Sequence, residues 1–294
     1  MTFGTGGQAI GCPTIRPGLV PLDTAFVSEV WAGTAPVAYD MRDGFATAVT
    51  PALLAGAITL PARETAPLET LAFDLYCRLF DLIDAAGYPH LLRMFNYLPA
   101  ITDTPDGFER YQRFSVGRHD AFAARKRGVA GAPAASALGS RGGPISLAFL
   151  AARLPGQALE NPRQVSAYAY PERYGPRSPT FSRALLGGPD GTSQFFLSGT
   201  ASIVGHESHH PGDAPAQTRE TLANIAAMRR EAVNAGLPPD HAMLYKVYAR
   251  SRMVADAARP IIDAALGPRD RAVYLEADIC RSDLLLEIDG ASIP

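Results

Sequence analysis

The stretch LETLAFDLYCRLFDLIDAAGYPHLLRMFNYLP, residues 68 to 99, decides the fold class. Leu68, Leu71, Leu75, Leu79, Leu82 and Ala86 recur at three- and four-residue steps, which is the spacing of one apolar helix face, and Gly87 supplies a stop. The run HLLRMFNYL (90 to 98) follows and has the composition of a buried strand. A helix feeding directly into a strand predicts a sheet covered by helices rather than a bundle or a sandwich.

Working outward, the same order occurs twice. In the first half, Asp106 to Lys126 reads as a second, weaker helix and ISLAFLAARL (145 to 154) as a further buried strand. In the second half, strand-like FFLSGTASIVG (195 to 205) precedes a helix from about Thr218 to Ala235, with Asp213 a candidate N-cap, Pro215 in its first turn and Gly236 at its end. AMLYKVYAR (242 to 250), a short helix near Met253 to Leu266, and a strand pair RAVYLEADI (271 to 279) and DLLLEID (283 to 289) complete it. The expected fold is α+β in two tandem domains, residues 1–155 and 156–294. The segment GVAGAPAASALGSRGG (128 to 143) reads as a linker or as a mobile loop of the first domain.

Composition narrows the function classes. With 27 Lys+Arg against 29 Asp+Glu, a formal charge of -2, 47% hydrophobic and 19% charged residues, the chain has material for a core and no broad basic field. Nucleic acid and anionic membranes are therefore not expected partners, and any anion has to be held locally. The uncharged run Phe45 to Leu60 contains Pro51 and is shorter than a bilayer span, so it reads as core. The first ten residues lack the pattern of a signal peptide, and Cys12, Cys77 and Cys280 are odd in number and widely spaced, which suits a reducing cytoplasm.

Several motifs are false leads. His206-Glu207-Ser208-His209-His210 matches H-E-x-x-H, but that pattern binds zinc only on a helix, and here Gly205 precedes it and Pro211-Gly212 follows, so a turn is expected. No dinucleotide-binding glycine pattern, P-loop or G-x-S-x-G elbow occurs. No metal and no cofactor is expected.

Two segments carry more information. ENPRQVSAYAYPERYGPRSPTFSRA (160 to 184) places Tyr168, Tyr170 and Tyr174 among Arg163, Arg173, Arg177 and Arg183, with prolines at 162, 171, 176 and 179. Guanidinium groups fork onto carboxylates, and a proline-stiffened backbone lowers the ordering cost of binding. A solvated basic loop is the plainer reading of the same residues. In YLEADICRSDLLLEIDG (274 to 290), Glu287 sits inside an apolar run, sharing a strand face with Leu285. Buried, it would hold its proton near neutrality and suit acid catalysis; on an outward edge it would be an ordinary carboxylate. Cys280 reads first as a small buried hydrophobe. FERYQRFSVGRHDAF (108 to 122) reads as an amphipathic covering helix.

Taken in order, RMFNYLP (93 to 99), ERYQRF-x-x-GR (109 to 118), NPRQVSAYAYPERYGPRSPTFSRA (161 to 184), FFLSGTASIVGHES (195 to 208) with QTRETLANI (217 to 225), and LEADICRSDLLLEIDG (275 to 290) resemble the chorismatase family. The second half separately resembles the RidA (YjgF) type. This implies two tandem RidA/chorismate-mutase-like two-layer domains, each a mixed sheet covered by helices on one face, with chorismate bound at their junction as the small-molecule partner. It implies Glu287 as general acid/base and Cys280 as a catalytic-site residue, with Tyr170, Tyr174, Arg177, Arg183, Thr200 and Ala201 binding substrate. A Cys seven residues before the catalytic Glu resembles aromatic-forming members, so pyruvate and 3-hydroxybenzoate, with 4-hydroxybenzoate as a further product, are expected ahead of the dihydroxycyclohexadiene acid. The alternative enzyme is a RidA-type imine deaminase with Arg269 or Arg271 in its site. A non-catalytic metabolite-binding module is a different class. Because a duplicated chain can bury its own association faces, a monomer is expected.

Overall fold

The computed structural model describes residues 1–4, 13–32, 35–60, 66–105, 107–140, 142–188 and 194–293. Cys12 and the glycine-rich terminus beyond Gly4 lie outside the described residues. The first half forms β1 (Thr2–Gly4), β2 (Val20–Pro21), β3 (Phe26–Ser28), β4 (Ala38–Arg42), β5 (Phe45–Val49), β6 (Leu53–Thr59), α1 (Leu68–Ala85), β7 (His90–Pro99), α2 (Arg110–Ala124), β8 (Ala134–Ser140) and β9 (Ser146–Ala152). The second forms β10 (Gln157–Leu159), β11 (Ala184–Leu186), β12 (Phe195–Thr200), β13 (Ile203–Val204), β14 (Glu207–Ser208), α3 (Ala214–Asn234), β15 (Ala242–Ala249), α4 (Arg252–Ala265), β16 (Arg271–Glu276) and β17 (Leu286–Ile293).

The expected α+β class is present, and the two halves repeat one topology. The first sheet runs β4-β5-β6-β9-β7-β8 and the second β10-β11-β12-β17-β15-β16, with β2 added at its far edge. In each, one parallel pair is joined through a helix: β7 to β8 through α2, and β15 to β16 through α4. The remaining pairs within these two sheets are antiparallel.

Side-chain alternation gives each sheet two faces. One is covered by its own helices: Met94, Leu98, Leu147 and Phe149 pack on the buried faces of α1 and α2, and Leu197, Val247 and Ile288 on those of α3 and α4. The other faces meet each other. Phe95, Tyr97 and Leu138 of the first sheet join Tyr248 and Leu275 of the second, sealed by Phe3, Ile15 and Leu19 from the N-terminal segment. The helix starts follow the sequence, since the Asp213 carboxylate accepts the Ala216 N–H at 2.9 Å and caps α3.

Two expectations are corrected. The proposed linker contains β8, whose residues Ala134–Ser140 are all buried at the edge where the halves meet. Its small residues serve close approach rather than freedom: a Cβ on Gly139 would lie 2.5 Å from Ile101 Cγ2 and 2.6 Å from the Asp278 Cβ. Gly139 and Asp278 exchange backbone hydrogen bonds there, at 2.7 and 2.9 Å. The second correction concerns the supposed strand pair. The last two strands do not touch, because β15 lies between β16 and β17, and β17 begins only at Leu286, leaving Leu285 outside it.

Candidate active site

Glu287 is the second residue of β17 and points with Asp289 into the layer between the sheets, away from Leu286 and Ile288 on the helix side. Its room comes from β12. The β12–β17 register shifts between Leu197 and Thr200, and within that irregular stretch a Cβ on Gly199 would overlap Glu287 Oε1, so only glycine leaves space for the carboxyl. Cys280, in the connection from β16, sets its Sγ 4.0 Å from Glu287 Oε2.

Burial dominates the electrostatics. Glu287 is pushed up to about 8, first by desolvation and then by the Asp289 charge, against the pull of Arg93 and Arg183. The Cys280 thiol is pushed up to about 12, again by burial and next by Glu287, which keeps it a neutral thiol. Desolvation also raises the Tyr111 phenol. Near neutrality the reactive end therefore presents a carboxylic acid, a thiol and a phenol, all holding protons.

These groups open on a cavity of about 270 Å³ at the seam between the halves. The first half contributes Tyr111 and Arg118 from α2 and Ser136 from β8; the second contributes Tyr170, Tyr174, Arg183, Ala201, Cys280, Arg281 and Glu287. Arg183 is buried, donates from Nη2 to the Val165 carbonyl and the Tyr170 hydroxyl at 2.7 Å each, and has no hydrogen-bond partner for Nε among the described residues. Arg118 is also buried, lies 5.3 Å from the Phe114 ring centre, and has no acceptor for Nε or Nη2 among the described residues. Buried guanidinium N–H groups without acceptors are costly unless a ligand supplies them. At the mouth, the Arg281 guanidinium stacks 4.0 Å from the Tyr174 ring centre, and Tyr174 lies against Tyr170 at 5.4 Å. The cavity thus combines a protonated acid with placed cations, a setting for protonating the carbon or oxygen of a small dianion.

Of the eight residues expected here, Glu287, Cys280, Tyr170, Tyr174, Arg183 and Ala201 line the cavity. Two do not. Arg177 is about half exposed and reaches Asp120 at 3.3 Å, because its proline-flanked turn carries it to the surface beside α2. Thr200 donates its hydroxyl to the Ser198 carbonyl at 2.9 Å, turning away from the opening that Gly199 and Ala201 flank. The H-E-x-x-H segment forms the expected turn, a β13–β14 hairpin around Gly205. Arg269 and Arg271, the deaminase candidates, are bonded to Asp240 and to the Pro268 carbonyl and line no part of the cavity.

Arg118, Tyr111, Ser136, Arg281 and Gly199 were not singled out as site residues by the sequence. Arg118 carried a signal: it lies four residues from both Phe114 and Phe122, on the apolar side of α2, where a cation is out of place. Gly117 makes that orientation possible, since a Cβ there would overlap the Glu69 carbonyl oxygen, so its absence lets α2 seat on α1.

Residues 29–151 match the profile of the family described as chorismatase FkbO/Hyg5-like, N-terminal. A chorismatase from Streptomyces rapamycinicus is 38% identical over 292 residues, spanning 96% of this chain and 87% of its own. A 3-hydroxybenzoate synthase from Streptomyces hygroscopicus is 37% identical over 294 residues, spanning 95% and 85%. Among solved structures, a chorismatase crystal structure superposes with a TM-score of 0.89 at 35% identity, covering 99% of this chain and 91% of that one. With sequence and fold in agreement, the chain belongs to the chorismatase family.

Proposed function

We propose that the protein cleaves the enolpyruvyl ether of chorismate, releasing pyruvate and 3-hydroxybenzoate, without metal or organic cofactor. The observation that carries this is Glu287, a carboxyl held protonated to about 8 inside a cavity that also holds the acceptor-free N–H groups of Arg118 and Arg183. Chorismate is a dicarboxylate of cavity size, and these two arginines would take its carboxylates by charge-assisted hydrogen bonds. Glu287 then donates its proton to the terminal methylene carbon of the enol ether. The ether oxygen stabilises the resulting oxocarbenium ion, and the Glu287 carboxylate next to it is the counter-charge that forms in the same step.

Two exits balance. If the neighbouring ring hydroxyl attacks the oxocarbenium carbon, it returns its proton to Glu287. Pyruvate then leaves with that oxygen, as its bond to the ring and the original pyruvyl–oxygen bond both break. The ring C–H proton passes to the phenol oxygen, and the atoms of chorismate divide between pyruvate and a hydroxybenzoate with no net water. If water attacks instead, one water is taken up and the diol acid remains. The Cys280 thiol beside Glu287, and the aromatic walls of Tyr170, Tyr174 and Phe181, limit water at the ring and support the aromatic exit. Either way Glu287 recovers its proton and the cycle closes.

The test is direct. Purified protein incubated with chorismate in EDTA is expected to form pyruvate, read by coupled NADH oxidation, and 3-hydroxybenzoate, read by chromatography against both hydroxybenzoates and the diol. Glu287→Gln is expected to lower kcat by about two to four orders of magnitude, the range for loss of a positioned proton donor. Absence of pyruvate above background, or full turnover by Glu287→Gln, would overturn the reading.

A further inference from the structure

Behind Glu287 lies a buried ionic cluster that the chemistry above does not use. Asp289, two residues further along the same face of β17, is fully buried. Its Oδ2 accepts three hydrogen bonds: from Arg93 Nη2 of β7 at 2.7 Å, from Ser136 Oγ of β8 at 2.9 Å and from the Tyr248 hydroxyl of β15 at 3.1 Å. Its Oδ1 faces Lys246 Nζ at 3.5 Å, and Lys246 pairs with Glu29 of the N-terminal segment at 2.6 Å. Oδ2 therefore serves three donors, one of them a guanidinium, and acts only as an acceptor.

The charges in this cluster sum to zero, two cations (Arg93 and Lys246) against two anions (Asp289 and Glu29). An ionised Glu287 would be a third buried anion with nothing left in the cluster to balance it. Ser136 links the two sites, because it lines the substrate cavity while donating to Asp289. Resting on the reading of Glu287 as the acid, we propose that Asp289 is a positioning residue, which by engaging Arg93 and Lys246 denies Glu287 a counter-charge and so keeps the proton on it.

The other ionisable groups around Glu287 do not replace this arrangement. Arg183 comes from the segment before β11 and also draws the Glu287 pKa down, but less than Arg93 does, its Nη2 being turned to the Tyr170 hydroxyl and the Val165 carbonyl. Cys280 and Tyr111 hold their protons. At the mouth, Arg281 donates to the His206 carbonyl, and Glu109 of the α2 cap is itself pushed toward its neutral form by burial. Around Asp289, the Tyr97 and Tyr248 phenols stay neutral through burial. Asp289 raises the Glu287 pKa and Arg93 lowers it, the signs the proposal needs.

The experiment is a pH–rate profile of kcat/KM for chorismate in wild type, Asp289→Asn and Arg93→Gln, each first checked for native near-UV circular dichroism. Asn keeps the size and an acceptor oxygen at 289 while removing the charge. It is expected to move the alkaline limb down by about one pH unit, and Arg93→Gln to move it up by a similar amount. A packing defect would lower the rate in both variants without moving the limb in opposite directions. If Asp289→Asn is recovered unfolded, the Arg93→Gln limb decides alone: an upward shift supports the role. An unmoved limb in a folded variant overturns it. Wild-type protein that forms no pyruvate from chorismate would instead overturn the reading of the reaction.

Discussion

At the scale of single residues, the proposed chemistry rests on one carboxyl and on the absence of one methyl group. Gly199→Ala would place a Cβ where Glu287 Oε1 now lies, so either the acid turns away or β12 shifts. The expected result is a loss of kcat by at least about two orders of magnitude, comparable with removing the proton donor, in a protein that remains folded. A variant with near wild-type kcat would show that the carboxyl does not need this position. The pH dependence follows from the same group. Catalysis by the protonated form should fall as pH rises through about 8. Stability should respond over a related window: in the folded state Glu287 holds its proton up to about 8 against an ordinary 4.5, so between these values the native state binds more protons than the unfolded one, and unfolding free energy should decline as pH rises. Urea titrations across that range, with Glu287→Gln as the comparison, should show a decline that the variant lacks.

At the scale of elements, what could be read from the sequence was what depends on neighbours along the chain. The leucine spacing from 68 to 86 becomes α1, Leu68–Ala85, and the cap at Asp213 is formed as read, because periodicity and capping are local. The Gly/Ala/Ser stretch was misread because the same small side chains suit a flexible linker and a strand that another segment approaches closely; only the partner, here Asp278 against Gly139, separates the two. The last strands were misread for a related reason, since strand order is non-local and β15 intervenes. In the sequence Arg118 reads only as part of a covering helix, because its cavity is closed by the other half of the chain. Gly117 ties this element to function. Gly117→Ala should cost about 1–3 kcal/mol by forcing α2 off the Glu69 carbonyl, measured as a lower urea midpoint. It should also raise KM for chorismate, because Arg118 moves with the helix. An unchanged KM in a destabilised variant would separate Arg118 from substrate binding.

At the scale of the whole molecule, the expected boundary near residue 155 falls in the connection between β9 and β10, yet a buried apolar layer and a buried ion pair cross it. The inter-sheet layer draws Phe95, Tyr97 and Leu138 from one half and Tyr248 and Leu275 from the other. Arg93 of β7 is paired with Asp289 of β17, both buried, and β2 from the N-terminal segment completes the edge of the second sheet beside β16. Cutting the chain there would expose an apolar layer on both pieces and leave Arg93 and Asp289 without each other, a cost of several kcal/mol for the ion pair alone. Domain-sized pieces with helix-backed sheets would ordinarily be candidates for independent folding, but these shared interactions predict otherwise. Residues 1–155 and 156–294 expressed separately should show little near-UV circular dichroism and no cooperative urea transition, whereas the intact chain should unfold in one transition with coincident fluorescence and circular dichroism. Co-expressing the two pieces should restore cooperative unfolding and pyruvate formation together, because the cavity and the inter-sheet layer form at the same seam. A second piece that folds and turns over chorismate alone would show that α2, with Tyr111 and Arg118, is dispensable to the site.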